Sequence, residues 1–194
     1  TDSRTDGMWT PPAARIELGA TELSLARSLR EKFGDDVKPA ERTSDMLTVH
    51  ADPKIAKQVL TFLKTEASPK FKRLEDLTAV DESARRDKSG YSDYTLVYSL
   101  MAFDEPARLR IKAPLAGENP TAESIVDLWP SAAWYEREAY DMMGVRFKGH
   151  AGLKRILMPE HWEGHPLRKS YPGRATSMPP YVHEDARKLQ PKDA

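Results

Sequence analysis

Apolar positions recur with a helical period twice between residues 20 and 66, and one short run of a different texture separates the two stretches. Thr21 reads as an N-cap, Leu23, Ala26, Leu29 and Phe33 fall on one stripe, and Gly34 stands at the stop, which predicts a first helix. Met46 to His50 reads as a strand. Asp52 follows as a second N-cap with Pro53 in the first turn, opening a helix to about Glu66 whose apolar face is Ile55, Ala56, Val59, Leu60 and Leu63. Leu74, Leu77 and Val80 predict another strand, which runs into a charged loop from Asp81 to Gly90. Tyr94 to Met101 is rich in aromatic and β-branched residues, and Arg108 to Lys112 alternates strictly after Asp104-Glu105-Pro106, so these two segments form a hairpin. The Arg and Lys face of its second strand is either solvated or meets a partner.

Downstream, Pro120-Thr121 opens a short helix through Leu128, and Ser131 opens another that reaches Met143 before Gly144 ends it. From Pro159 the texture changes: 6 of the chain's 15 prolines fall in the last 36 residues, without an apolar period. The expected fold is therefore α+β, with a mixed, largely antiparallel sheet of about four strands, helices mainly on one face and an extended C-terminal tail. Residues 1–19 read as a flexible lead-in, 20–158 as the domain and 159–194 as a proline-rich tail that binds partners.

Composition narrows the chemistry. The chain has 194 residues and no cysteine, which excludes thiolate-held iron–sulfur clusters, disulfides and a cysteine nucleophile in this chain. Its 30 Lys+Arg balance 30 Asp+Glu, so whole-surface nucleic-acid binding is not expected. No apolar run approaches the roughly 20 residues a transmembrane helix needs. Thr1 to Gly7 lack the apolar core of a secretory signal, so a cytoplasmic address is the expectation. Charge is nevertheless uneven: residues 146–194 carry 10 Lys+Arg against 5 Asp+Glu, and residues 1–145 carry 20 against 25. A basic C-terminal part suits acidic partner surfaces.

Three constellations invite a chemical reading. His150, His161 and His165 suggest a metal, with Glu163 between two histidines four apart, but the metalloprotease pattern needs Glu directly after the first His. Trp162 stands there instead, and Gly164 and Pro166 break the helix that would align the rings. Glu136, Arg137, Glu138 and Asp141 crowd one helix, where carboxylates could do acid–base work or simply pair with cations. Arg137 and Asp141 have the i, i+4 spacing of a surface pair, and Glu138 lies one turn from Tyr135 and Met142, near the apolar face. Trp129, Trp134, Tyr135, Tyr140, Phe147, Trp162, Tyr171 and Tyr181 enrich the C-terminal third in aromatics, as interfaces do; the core should claim Trp134. Neither a G-x-G-x-x-G nor a Walker sequence is present.

The run from Glu136 to His150, E-R-E-A-Y-D-M-M-G-V-R-F-K-G-H, followed by Leu153-Lys154-Arg155-Ile156-Leu157, resembles the signature of the C-type (30 kDa) component of respiratory complex I, the proton-pumping NADH:quinone oxidoreductase. Gly164-His165-Pro166-Leu167-Arg168-Lys169-Ser170-Tyr171-Pro172 is similar to that family's tail motif. One departure is visible, since the family usually carries Pro after the signature His and Ala151 stands here. The resemblance implies a non-catalytic core subunit of the peripheral arm, at the cytoplasmic side of the bacterial inner membrane and membrane-associated only through the complex. NADH, FMN, iron–sulfur clusters and quinone are then bound by partners, chief among them the quinone-site subunit of the D, or 49 kDa, type. Glu136, Arg137, Glu138, Asp141, Gly144, Phe147 and His150 become structural anchors. Lys154, Arg155, Trp162, His165, Arg168, Lys169 and Tyr171 become the subunit interface. The homologous subunit of a membrane-bound hydrogenase or of a ferredoxin-fed quinone reductase would read almost the same. A rival of another class is a free-standing metal-dependent hydrolase using Glu138 with His161 and His165.

Overall fold

A computed structural model describes residues 19–39, 46–84 and 92–172. In chain order the elements are α1 (Ala20–Phe33), β1 (Val37–Pro39), β2 (Leu47–Ala51), α2 (Ala56–Thr65), β3 (Arg73–Asp81), β4 (Tyr94–Ala102), β5 (Ala107–Leu115), β6 (Thr121–Glu123), α3 (Ala132–Met143) and β7 (Arg146–Lys148). The fold is α+β. One five-stranded sheet has the order β1-β2-β5-β4-β3, antiparallel except where β2 meets β5, and β6 and β7 form a separate parallel pair.

Alternation decides which side of the large sheet is covered. Leu96, Tyr98 and Leu100 of β4 are buried together with their partners Ala113, Ile111 and Leu109 of β5, and Leu47 and Val49 of β2 continue the same face. Buried residues of all three helices, among them Leu29, Leu60, Leu63 and Ala139, join this cluster. The expected spacing of three between Leu74 and Leu77 looks wrong for a strand with one buried face. A β-bulge resolves it: the register shifts between Leu74 and Asp76, so both leucines point inward, and the extra residue, Glu75, gives its carbonyl to the Tyr135 hydroxyl at 2.9 Å.

Several expectations need correction. The first helix begins at Ala20 behind Gly19, whose N–H donates to the Glu22 carboxylate at 2.9 Å, so Thr21 is inside the helix. Its buried residues are Leu25 and Leu29, one turn apart, and Leu23 is exposed. The second helix starts at Ala56, because Asp52 spends its carboxylate on the Lys54 N–H and its carbonyl on Ile55, closing a turn first. Pro120 to Leu128 is not a helix. Pairing with β7 takes its backbone groups: Arg146 N–H donates to Pro120, and Ser124 N–H donates to Lys148, both at 2.8 Å. β1 has no counterpart in the sequence pattern, and it raises the sheet from about four strands to five. Trp134 is 62% exposed, and the core takes Trp129 instead, whose Nε1 donates to the Lys72 carbonyl at 3.1 Å. The lead-in up to Leu18, most of the Asp81 to Gly90 loop, and the tail beyond Pro172 with Tyr181 lie outside the described residues.

Candidate functional site

The signature helix α3 carries two fully buried carboxylates with opposite fates. Glu136 accepts the Ile125 N–H at 2.7 Å through Oε1, while Oε2 is buried without a partner among the described residues. Burial pushes its pKa up, and the hydrogen bond from Ile125 counters this only in part. Tyr98, fully buried in β4, has its hydroxyl pushed up by burial and by the Glu136 charge.

Asp141 is the hub of the site. Burial would raise its pKa, but the N–H groups of Met158, Ile156 and Leu157 and the Arg155 guanidinium outweigh burial and hold it below the usual carboxylate range. The three amides donate to Oδ2 at 2.8 to 3.0 Å, and Arg155 Nη1 donates to Oδ1 at 2.6 Å. Arg155 Nη2 then reaches the carbonyls of Trp162 and Gly164 at 2.7 and 2.9 Å. The expected surface pair of Arg137 with Asp141 is thus replaced. Arg137 turns to the carbonyls of Lys154 and Arg155 at 3.1 and 2.7 Å, with its guanidinium over the Trp134 ring. Glu138 does not lie at the apolar face; it is exposed.

Any α-helix ends with carbonyls that have no partner within it. At the end of α3, Gly144 in the left-handed conformation donates to Tyr140, and the segment from His165 to Arg168 takes the next three. His165 Nδ1 lies 3.0 Å from the Asp141 carbonyl, which can only accept, so Nδ1 carries the proton. Leu167 N–H donates to Met142 at 3.1 Å, and Arg168 Nε donates to Met143 at 2.8 Å. The two arginines also place positive charge at the negative end of the helix dipole. The G-H-P-L-R motif therefore works as a C-terminal cap supplied from 24 to 25 residues downstream through the two side chains. Burial and the neighbouring Arg168 and Arg155 charges lower the His165 pKa, although its bond to Asp141 pulls the other way, which suits a neutral capping ring.

Gly144 is required twice. Its φ of 76° is left-handed, and a side-chain carbon there would collide with Arg168 and come within 2.6 Å of His165 Cδ2. Beyond the cap the chain crosses to the sheet. Lys169 N–H donates to Asp81 Oδ2 at 2.8 Å, and the Arg168 guanidinium lies over Tyr94, the β4 partner of Asp81. Burial would raise the Asp81 pKa, but bonds from Ser83 and Lys169 prevail and hold it low. Sequence reasoning missed Asp81 and Tyr94. The Asp-x-Ser turn at 81–83 signals a local bond to Ser83, but nothing local points to Lys169.

His150 holds the loop after β7 to the start of α3. Its Nδ1 accepts the Gly152 N–H at 3.0 Å and its Nε2 lies 3.1 Å from the Ala133 carbonyl, fixing the tautomer at both ends. The same loop carries Ala151 where the resemblance leads one to expect Pro. Phe147 is buried. Trp162 and Tyr171 are half-buried, and the Trp162 Nε1 has no partner among the described residues. Lys154 and Lys169 expose their side chains, and Trp134, Leu157 and Leu167 are exposed apolar residues. Among the described residues, no three of His, Asp and Glu gather as metal ligands would. No described helix is long and apolar enough to cross a membrane.

Residues 49–177 match the family model of the respiratory-chain NADH dehydrogenase 30 kDa subunit. The chain is similar to the fused C/D protein of the NADH-quinone oxidoreductase of Acidiphilium cryptum (strain JF-5), 44% identical over 94% of this chain and 31% of that protein. The corresponding C/D protein of Methylococcus capsulatus (strain Bath) is 38% identical over 88% of this chain and 30% of that protein. The chain thus spans about a third of the length of these curated relatives. Among solved structures, a trypsin-resistant fragment of Nqo5 superposes with a TM-score of 0.58 at 25% identity, covering 68% of this chain and 99% of that one. A chain of an archaeal membrane-bound sulfane sulfur reductase, 22% identical, shares the fold with a TM-score of 0.54, over 73% of this chain and 75% of that one.

Proposed function

The chain belongs to the family of the 30 kDa, or C-type, component of the respiratory-chain NADH dehydrogenase, and from that premise we propose that it is a non-catalytic core subunit of the peripheral arm of the proton-translocating NADH:quinone oxidoreductase. NADH, FMN, the iron–sulfur clusters and quinone would be bound by its partners. It would stand beside the quinone-site subunit of the D type, on the cytoplasmic side of a bacterial inner membrane, and reach the membrane only through the complex. Fusion of C with D in the named relatives supports that neighbour.

One observation carries the proposal. Both blocks that mark the family are spent on holding the chain's own shape, with the second block capping the helix that carries the first. Such an arrangement fixes the direction in which the tail leaves the domain. It also accompanies exposed Trp134, Leu157 and Leu167 with cationic side chains nearby in the sequence, a composition that interfaces favour.

Affinity purification of the tagged chain from membranes tests this. The chain should be recovered with the other subunits of the complex and with quinone-linked NADH oxidation. Recovery of the chain alone would overturn the proposal.

A further inference from the structure

The second face of the five-stranded sheet carries a one-sided charge. Alternation places Arg108, Arg110 and Lys112 of β5 on it, opposite Met101, Ser99 and Val97 of β4. On the other side of β5, Lys112 stands opposite His50 of β2, and His50 stands opposite Lys38 of β1. Arg73 of β3 joins at the far corner opposite Met101. Among the described residues of that face the acids are two, Asp76 and the bulge residue Glu75, which Arg108 meets at 3.4 Å.

A solvated face of interspersed charge does not describe this row, which is of one sign. Arg108, Arg110 and Lys112 stand two residues apart along one strand, each opposite a neutral residue of β4, so their charges add on one face; burial and Lys112 lower the pKa of the adjacent His50 and favour its neutral form. Lysines that protect a sheet edge from pairing do not account for it either, since β5 is the central strand of the order β1-β2-β5-β4-β3. A row of cations along a central strand, with two acids beside it among the described residues, attracts anionic groups.

We propose that this face, centred on Arg110 and Lys112, docks an acidic segment of another polypeptide in the same assembly. Val97 and Met101, half-exposed between the cations, suit a segment that also carries apolar side chains. A nucleic acid fits worse, because among the described residues the strands present no Phe, Tyr or Trp on this face for base stacking and residues 1–145 carry a net negative charge. A lipid surface fits worse because, among the described residues, the strands present no Trp or Tyr on this face as an interfacial anchor. The proposal deepens the functional one by naming the chemistry of a partner, and it rests on it for the assembly.

Two measurements test it independently. In the first, the 194-residue chain is titrated at low salt with a labelled glutamate-rich peptide containing leucine, with phosphatidylglycerol vesicles and with a short DNA duplex. The peptide should bind, and Arg110→Glu/Lys112→Glu should weaken it roughly 10-fold or more; Arg110→Gln/Lys112→Gln serves if the reversal perturbs folding. Unchanged peptide binding in these variants, or tighter binding of vesicles or duplex, would overturn the proposal. In the second, carbodiimide coupling of the purified complex should join Lys112 or Lys38 to an Asp or Glu of another polypeptide. A complex that contains the chain but gives no such product would overturn the docking and leave the functional proposal standing. If the chain is recovered without a complex, the functional proposal fails, and with it the assembly partner named here.

Discussion

Asp141 and Arg155 meet at 2.6 Å with side chains 0% and 15% exposed, and this pair fixes the chain from 155 to 164 against the end of α3. Its removal exposes the cost of burying a charge. Arg155→Ala leaves Asp141 without its cation and frees two carbonyls, so a loss of roughly 3–5 kcal/mol is expected, as for a broken buried pair. Denaturant unfolding of the full chain measures it, and a loss no larger than that of an exposed pair, about 1 kcal/mol, would show that water already reaches the site.

Glu136 and Asp141 predict opposite pH dependences. The folded pKa of Asp141 lies below its unfolded value, so its contribution is complete above the unfolded value of 3.8 and disappears as pH falls through the folded one. Glu136 is raised above its unfolded value of 4.5, so the fold favours its protonated form, and that contribution is lost as pH rises through the folded pKa. Glu136→Gln keeps an acceptor for Ile125 without the charge. The stability of this variant relative to the parent should therefore rise as pH increases from 4.5 through the folded pKa of Glu136, as read from unfolding midpoints, whereas a constant difference would mean the carboxylate is solvated.

Gly144→Ala should destabilise the cap in particular. The substitution strains a left-handed residue by roughly 1 kcal/mol or more and pushes against His165 and Arg168. Limited proteolysis should then cut between residues 159 and 172 faster than in the parent, with the region 94–115 still resistant. Uniform acceleration along the chain would point to global unfolding instead.

Arg137, Glu138 and Trp134 separate folding from docking. Glu138 and Trp134 are exposed, so their alanine variants should change stability by no more than about 0.5 kcal/mol for a surface site. Arg137→Ala uncovers two carbonyls and should cost about 1–3 kcal/mol. In membranes, Arg137→Ala and Trp134→Ala should lower the amount of assembled complex while quinone-linked NADH oxidation per assembled complex stays near the parent value. Full assembly with activity lost would place the residue in catalysis or coupling.

Local pattern carried much of the fold. The runs that became α2, β2, the β4–β5 hairpin and α3 each bury enough periodic apolar surface to be read within one window, α1 and β3 are legible although Leu23 is exposed and a bulge interrupts the strand period, and Gly144 marks its own left-handed stop. The family signature was legible for the same reason, because a fixed order of residue types is a property of the sequence itself.

Everything that depends on which distant group supplies a partner had to await the tertiary structure. β6 exists because β7 takes its backbone groups, and β1 because β2 does; three residues have too few side chains to show a period. Arg137 at i−4 was the available local partner for Asp141, yet Arg155 won, because Leu157 and its neighbours bring a cradle of amides to the same carboxylate. Trp129 and Trp134 are equally apolar as sequence, and only the turn after β6 decides which one faces the sheet. Asp81 finds Lys169 across 88 residues, a pairing set by where the capped end of α3 directs the chain and by no pattern shorter than the fold.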